Sequence, residues 1–230
     1  NGVHYYMRQE LSKGDHLQVR ICETKISEKI PPTNLPLNII YEDEDLLVLN
    51  KPAGMPIHPS LNNYTNSMAN ALAYYFQSQG KPFIFRCCNR LDRDTSGLMM
   101  FAKDEKTQYT LRDHWHDIVT DRRYVAVVTG EMEKDSDTVV SWLTDRTLYV
   151  SSSSYDDGGS KSITHYRTIK RANGYSLVEL RLETGRKNQI RVHMQDLGHP
   201  LIGDGRYGID GGPNPLGRLA LHAFKLCFYH

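Results

Sequence analysis

Asn89-Arg90-Leu91-Asp92-Arg93-Asp94-Thr95-Ser96-Gly97-Leu98 runs directly into the apolar stretch Met99-Met100-Phe101-Ala102. A polar turn followed at once by a buried strand holds a side chain at the lip of a rigid sheet, where a catalytic group is best positioned. The side chain so placed is the carboxylate of Asp92, between two arginines. An adjacent guanidinium typically lowers a carboxylate's pKa by ~1–3 units, so Asp92 is expected to stay ionised at neutral pH. It then reads as a nucleophile or base and not as a proton donor.

Around this stretch the chain reads as a fold with few helices. Asp45-Leu46-Leu47-Val48-Leu49-Asn50 predicts a buried strand that ends in the rigid turn Lys51-Pro52-Ala53-Gly54-Met55-Pro56. Ser67 to Gln79 has helical spacing through Met68, Ala71, Leu72 and Tyr75. Asp104 is an N-cap for a helix reaching about Ile118, with Leu111, Trp115 and Ile118 toward the core. Tyr124 to Thr129 and Val178 to Leu182 read as strands, and the Ser-, Asp- and Gly-rich segment 147–162 as a loop or long hairpin tip. Without regular βαβ alternation, the class is α+β, with a mixed, mostly antiparallel central sheet flanked by helices and loops. Residues 1–30 read as a remnant of a small N-terminal domain or a tail, including a short strand with Leu17 and Val19 on one face. Residues 31–36 form a Pro-rich linker, and 37–230 the main domain.

With 230 residues, 39% apolar and 24% charged, the chain is long enough for one domain with a sizeable core. It starts at Asn1 without a methionine, as a fragment would. No apolar run approaches the ~20 residues of a membrane span, and no secretory leader is visible. The four cysteines (Cys22, Cys87, Cys88 and Cys227) lack the spacing of a disulfide framework, and the expected compartment is the cytoplasm. His114 and His116 point apart on a helix, and no zinc spacing occurs, so no metal is expected. The net charge is only +1, but basic residues cluster at 86–93, 122–123, 170–171 and 186–191. If these share a face, a near-neutral protein can hold a polyanion.

Three further segments carry chemistry. Thr184-Gly185-Arg186-Lys187-Asn188-Gln189-Ile190-Arg191-Val192-His193 follows a strand through a glycine turn and opens a helix. Free N–H groups at that end, with Arg186 and Lys187, suit a phosphate, and a solvated basic face is the alternative. Arg122-Arg123-Tyr124-Val125-Ala126 places Tyr124 at the start of a strand, as a stacking platform for an unpaired base or as ordinary core. The glycine-punctuated segment Gly198 to Gly208 and Leu219-Ala220-Leu221-His222-Ala223 read as sheet-closing turns that shape a cleft wall.

These motifs, in this order and at these separations, resemble the RluA-type RNA pseudouridine synthases. The resemblance runs from about Leu37 to Phe228 and includes Lys51-Pro52-Ala53-Gly54 with His58-Pro59, Arg90-Leu91-Asp92 with Thr95-Ser96-Gly97, and Leu221-His222-Ala223. It implies a pseudouridine synthase fold with the active-site cleft across the sheet, and isomerisation of uridines in structured RNA, ribosomal or transfer. The chemistry it implies needs no cofactor, and a monomer is expected although the sequence itself is silent on oligomeric state. By resemblance Asp92 is the essential aspartate, Tyr124 the active-site tyrosine and Arg191 the cation that pairs with the aspartate. Arg90, Arg93, Thr95, Arg123, Arg186 and Lys187 are expected to contact RNA. Asn89 and Asn188 stand where the family commonly has histidine. Two alternatives stay open: a catalytically silent RNA-binding module in which Asp92 braces a loop, and a glycoside hydrolase using Asp92 with Asp94.

Overall fold

Leu46–Lys51 (β2) is apolar over its first four positions and buried on both faces, which marks a strand well inside a sheet. In the computed structural model of the chain it lies between β1 (Ile39–Glu42) and β3 (Ser96–Ala102), antiparallel to both. The structure describes residue 14 and residues 30–146, 149–212 and 214–230. Among these, the remaining strands are β4 (Val119–Thr129), β5 (Ser136–Asp145), β6 (Val150–Ser153), β7 (Ser160–Ala172), β8 (Tyr175–Leu182) and β9 (Leu221–Phe228). All nine belong to one sheet in the order β1-β2-β3-β9-β4-β8-β7-β5-β6. Every strand pairing in it is antiparallel except β3 with β9, in agreement with the mixed, mostly antiparallel α+β expectation.

The parallel contact is very close. Gly97 has φ +123°, and a Cβ there would lie 2.3 Å from the carbonyl oxygen of Ala223. Gly97 therefore lets β9 seat directly beside the strand that carries the Asp92 loop.

Helix α1 (Met68–Ser78) begins where Ser67 and Asn70 form a reciprocal cap, each side chain accepting from the other's backbone N–H. It presents Met68, Leu72 and Phe76 to the core cluster that contains Leu47, Leu49, Met99 and Tyr124. The linker residues are tied to this helix: Asn70 Nδ2 donates to the Pro31 carbonyl (2.8 Å) and the Thr33 N–H to the Asn70 carbonyl (3.1 Å). Asp104 caps α2 as expected, accepting from the Thr107 N–H at 2.9 Å. The helix does not run unbroken to Ile118, however. It ends at Asp113, and a single turn, α3 (Trp115–Ile118), restarts after His114. Asp113, His114 and Asp117 are weak helix formers, and the break turns Trp115 into a cleft. Among the described residues no helix is long and apolar enough to cross a membrane.

Two other expectations are corrected. Segment 147–162 is not all loop: β6 pairs with β5 along Trp142 to Asp145, and Val150 is buried against Val192 and Tyr207. Tyr124 does not open its strand, because β4 starts five residues earlier. The charged residues there are accommodated by pairing with β9 and by the Asp121–Arg123 and Asp121–Lys225 ion pairs. The expected Leu17 and Val19 strand lies outside the described residues.

Candidate active site

The loop between Cys88 and Thr95 is fixed at several points. Asn89 accepts from the Met100 N–H (2.7 Å) and donates to the Leu98 carbonyl (3.3 Å), clamping the loop to β3. The asparagine found at this departure from the family pattern therefore has a structural role here. The Thr95 N–H donates to the Asp92 carbonyl (3.2 Å), closing the turn, and Thr95 is buried. From below comes Lys51, fully buried at the end of β2. Its ammonium donates to the carbonyls of Pro52 (2.8 Å), Met55 (2.9 Å) and Arg93 (2.8 Å). Burial pulls its pKa down to about 8, against the opposing pull of Asp94 and Asp92. Lys51 thus joins the turn after β2 to the loop that carries Asp92.

Asp92 faces a cleft of about 290 Å³, near the lower end of the ~300–1,000 Å³ common for small-molecule sites. Leu91, Tyr124, Leu182, Ile190 and Leu221 supply apolar lining; Arg90, Arg122, Arg186, Lys187 and Arg191 supply cations. Among the described residues that line the cleft, Asp92 is the one carboxylate. Three of the four basic clusters therefore contribute to one site, whereas Lys170 and Arg171 do not line it.

Asp92 is not held as expected. Arg93 turns outward into an exposed pair with Asp94 (3.0 and 3.1 Å) and leaves the cleft. Burial raises the Asp92 pKa, and Arg191, Arg90 and Lys187 oppose that rise without overcoming it. The expected lowering by two flanking arginines is thereby corrected: one points away, and desolvation outweighs the rest. Asp94 does not line the cleft either, which removes the geometry needed for a two-carboxylate glycosidase.

Arg191 is the best-fixed cation. It lies on α4 (Gln189–Asp196), which starts from Asn188 in the left-handed region at φ 55°. Its Nε and Nη2 donate to the two oxygens of Asp204, both at 2.7 Å. Nη1 donates to Asn188 Oδ1 (3.0 Å), and the guanidinium stands 5.0 Å from the Tyr207 ring centre. The Asp92 carboxylate is 3.9 Å from Nη1. Arg191 is thus a neighbour of Asp92, while its bidentate partner is Asp204, a fully buried side chain that also accepts from the Arg206 and Tyr207 N–H groups (both 2.9 Å). Asn188, also at a position where the family commonly has histidine, tolerates the left-handed backbone and ties Arg191 to the Tyr207 hydroxyl (3.2 Å).

Tyr124 is buried in the core cluster, as the core reading has it, and it also lines the cleft. Burial, with the Asp92 charge, pushes its hydroxyl above the ordinary tyrosine range although Arg122 opposes this. Arg123 is not brought to the cleft; it bonds Asp121 (2.8 and 3.1 Å) and Glu179 (3.1 Å). Its neighbour Arg122 lines the cleft instead, 5.6 Å from the Trp115 ring. Arg186 and Lys187 are at the cleft, Lys187 being held by Asp145 (2.8 and 2.9 Å).

Sequence reading missed Lys51, Arg122 and Asp204 as site residues. A lysine closing an apolar strand is a signal for the first, and strand parity with Tyr124 for the second. Asp204 sits between two glycines, and no local signal links it to Arg191.

Residues 45–196 match the family described as RNA pseudouridylate synthase. The chain is 37% identical over 222 residues to a Bacillus subtilis protein named uncharacterized RNA pseudouridine synthase YhcT, covering 96% of this chain and 72% of that one. It is 36% identical over 241 residues to ribosomal large subunit pseudouridine synthase D of Pasteurella multocida, covering 97% and 72%. Among solved structures, human RNA pseudouridylate synthase domain containing 1 superposes with a TM-score of 0.71 at 26% identity, over 85% of this chain and 80% of that one.

Proposed function

From the premise that the chain belongs to the RluA-type RNA pseudouridine synthases, and so is an isomerase converting uridine in RNA to pseudouridine, we propose that Asp92 is its attacking group and ribosomal RNA its target. The silent-binder alternative gives way to that membership. One observation carries the assignment of Asp92: it is the one carboxylate among the described residues lining a cleft that gathers Arg90, Arg122, Arg186, Lys187 and Arg191. A polyanion is drawn to such a rim, and a lone acid within it has a chemical task there.

The reaction breaks the bond between N1 of uracil and the ribose, turns the base, and rejoins it through C5, which loses its hydrogen. A stacked uridine must first be extruded, at a cost of a few kcal/mol. Its ring would then lie against Tyr124 in the apolar part of the cleft, with flanking phosphates on the cations of the rim. Asp92, ionised and steadied by Arg191 Nη1 at 3.9 Å, would attack the nucleoside. Tyr124, with its pKa raised, is a poor base at neutral pH and serves as the surface on which the ring rests. Arg93 and Arg123 lie outside the cleft and would contact RNA on its flanks.

The ribosomal target is supported by relatives named ribosomal large subunit pseudouridine synthase D, and with that target goes a cytoplasmic protein acting as a monomer. Incubation with unmodified ribosomal and transfer RNA transcripts, followed by mapping of pseudouridine at single-nucleotide resolution, tests the target. New pseudouridine in large-subunit ribosomal RNA is expected; pseudouridine confined to transfer RNA would overturn that target.

A further inference from the structure

Asp92 stands between two cavities. Segment Cys88–Asp92 walls the cleft described above, and it equally walls a second cavity of about 530 Å³ that contains neither Tyr124 nor Arg191. The facing wall of this second cavity is Pro56, Ile57 and His58. The two walls are tied together, because the Lys51 ammonium bonds the carbonyl of Met55, next to Pro56, and the carbonyl of Arg93, at the end of the Asp92 segment. The Lys51 ammonium therefore fixes the two walls relative to each other.

Its chemistry is that of a seat for an unpaired base. The His58 ring packs edge-on to Phe85 (4.6 Å between centres, 68°), and Phe85 in turn packs on Phe101 of β3 (5.5 Å). This chain of ring contacts fixes the imidazole relative to the sheet. Burial and the nearby Arg90 both hold the His58 pKa below the usual histidine range, so the ring is uncharged at neutral pH. Arg90 supplies positive charge at the cavity, and Arg93 lines it with its guanidinium paired to Asp94. An uncharged ring beside apolar side chains and guanidinium groups is the combination that holds single-stranded nucleic acid.

We propose that the His58 cavity receives the base of a nucleotide adjacent to the target uridine, stacked on the His58 imidazole. This rests on the Asp92 cleft being the seat of the uridine. With Cys88–Asp92 as common wall, one strand would place neighbouring nucleotides on its two sides, and Arg90, which lines both cavities, would lie between them.

The test uses the RNA in which the wild-type protein forms pseudouridine, with the nucleotide on each side of that uridine made abasic in turn. Kinetics are measured for wild type, His58→Ala and His58→Phe. On intact RNA, His58→Ala should raise KM about fivefold to a hundredfold, the range of base–aromatic stacking. His58→Phe, which keeps a stacking face, should stay within about twofold and shows that the position tolerates change. On RNA abasic at one neighbour, and not at the other, wild type and His58→Ala should become equal. A His58→Ala effect that persists on both abasic RNAs, or no effect on intact RNA, overturns the proposal. Modification of transfer RNA in place of ribosomal RNA would correct the target alone, and the same cycle would be run on that RNA. Turnover surviving Asp92→Asn would instead count against Asp92.

Discussion

Asp204→Asn is the most revealing single change, because it alters one charge and almost no volume. In the native protein Asp204 Oδ1 accepts from Arg191 Nη2 and from the Arg206 and Tyr207 N–H groups, while Oδ2 accepts from Arg191 Nε. An amide whose oxygen keeps the three-donor side must turn its NH₂ group against the Nε–H. One charge-assisted bond is lost, and the mostly buried guanidinium loses its main counter-charge. Breaking a buried pair in this way costs about 3–5 kcal/mol. Asp92, 3.9 Å from Nη1, remains as a second counter-charge, which favours the lower end. At ~2–4 °C per kcal/mol for a chain of this size, a loss of ~3 kcal/mol lowers Tm by roughly 6–12 °C.

The sign with pH follows from the direction of each shift. Arg191 and the two N–H groups hold the Asp204 pKa below the usual carboxylate range, overcoming burial. The stabilisation is therefore complete above that range and lost as pH falls through the lowered folded-state pKa, so the Tm gap between variant and wild type should close in acid. Asp204 also contributes to raising the pKa of Asp92. Removing its charge should shift the acid limb of kcat/KM to lower pH, since Asp92 must be ionised to attack. Thermal unfolding across pH and a pH–rate profile measure both effects. A Tm within about 2 °C of wild type, with an unmoved acid limb, would refute this account of the Arg191 pair.

Two smaller changes probe separate links. Asn188→Ala should be less stable than Asn188→Gly by about 1 kcal/mol in denaturant unfolding, the reverse of the usual order, because only glycine relieves the left-handed backbone at φ 55°; equal stability would count against strain at that position. Tyr124→Phe should keep RNA affinity within about twofold, whereas Tyr124→Leu should lose ~1–3 kcal/mol of binding. A loss with phenylalanine would place the hydroxyl, not the ring, in contact with RNA.

The sequence made some parts of this molecule legible and hid others for physical reasons. α1 was visible because Met68, Ala71, Leu72 and Tyr75 recur at helical spacing. β2 and β3 were visible because apolar runs bounded by turns leave few other readings. β7 was hidden: its inward face is Ser162, Thr164 and Tyr166, and the buried hydroxyls give no apolar alternation. Thr164 bonds the His193 and Gln189 side chains of α4, a polar contact that periodicity cannot anticipate. In the site, Asp92, Tyr124, Arg191, Arg186 and Lys187 were read from local pattern and do meet at one cleft. The electrostatics were not legible, since the direction of the Asp92 shift depends on burial and on a partner contest between Asp92 and Asp204 for Arg191. Charge adjacent in sequence, as at Arg93 and Arg123, proved a poor guide to charge adjacent in space.

The central claim is that Asp92 performs the chemistry in a cleft that binds RNA through other groups. The most direct measurement is release of tritium from C5 of uridine in ribosomal RNA by wild type and by Asp92→Asn, with RNA affinity measured on the same samples. Isomerisation must expel that hydrogen, because C5 becomes bonded to the ribose. The account expects release by wild type and none by Asp92→Asn, with affinity changed by no more than a few-fold, because the proposed RNA contact is spread over Arg90, Arg122, Arg186 and Lys187, which line the cleft. Release by Asp92→Asn at the wild-type rate would contradict it.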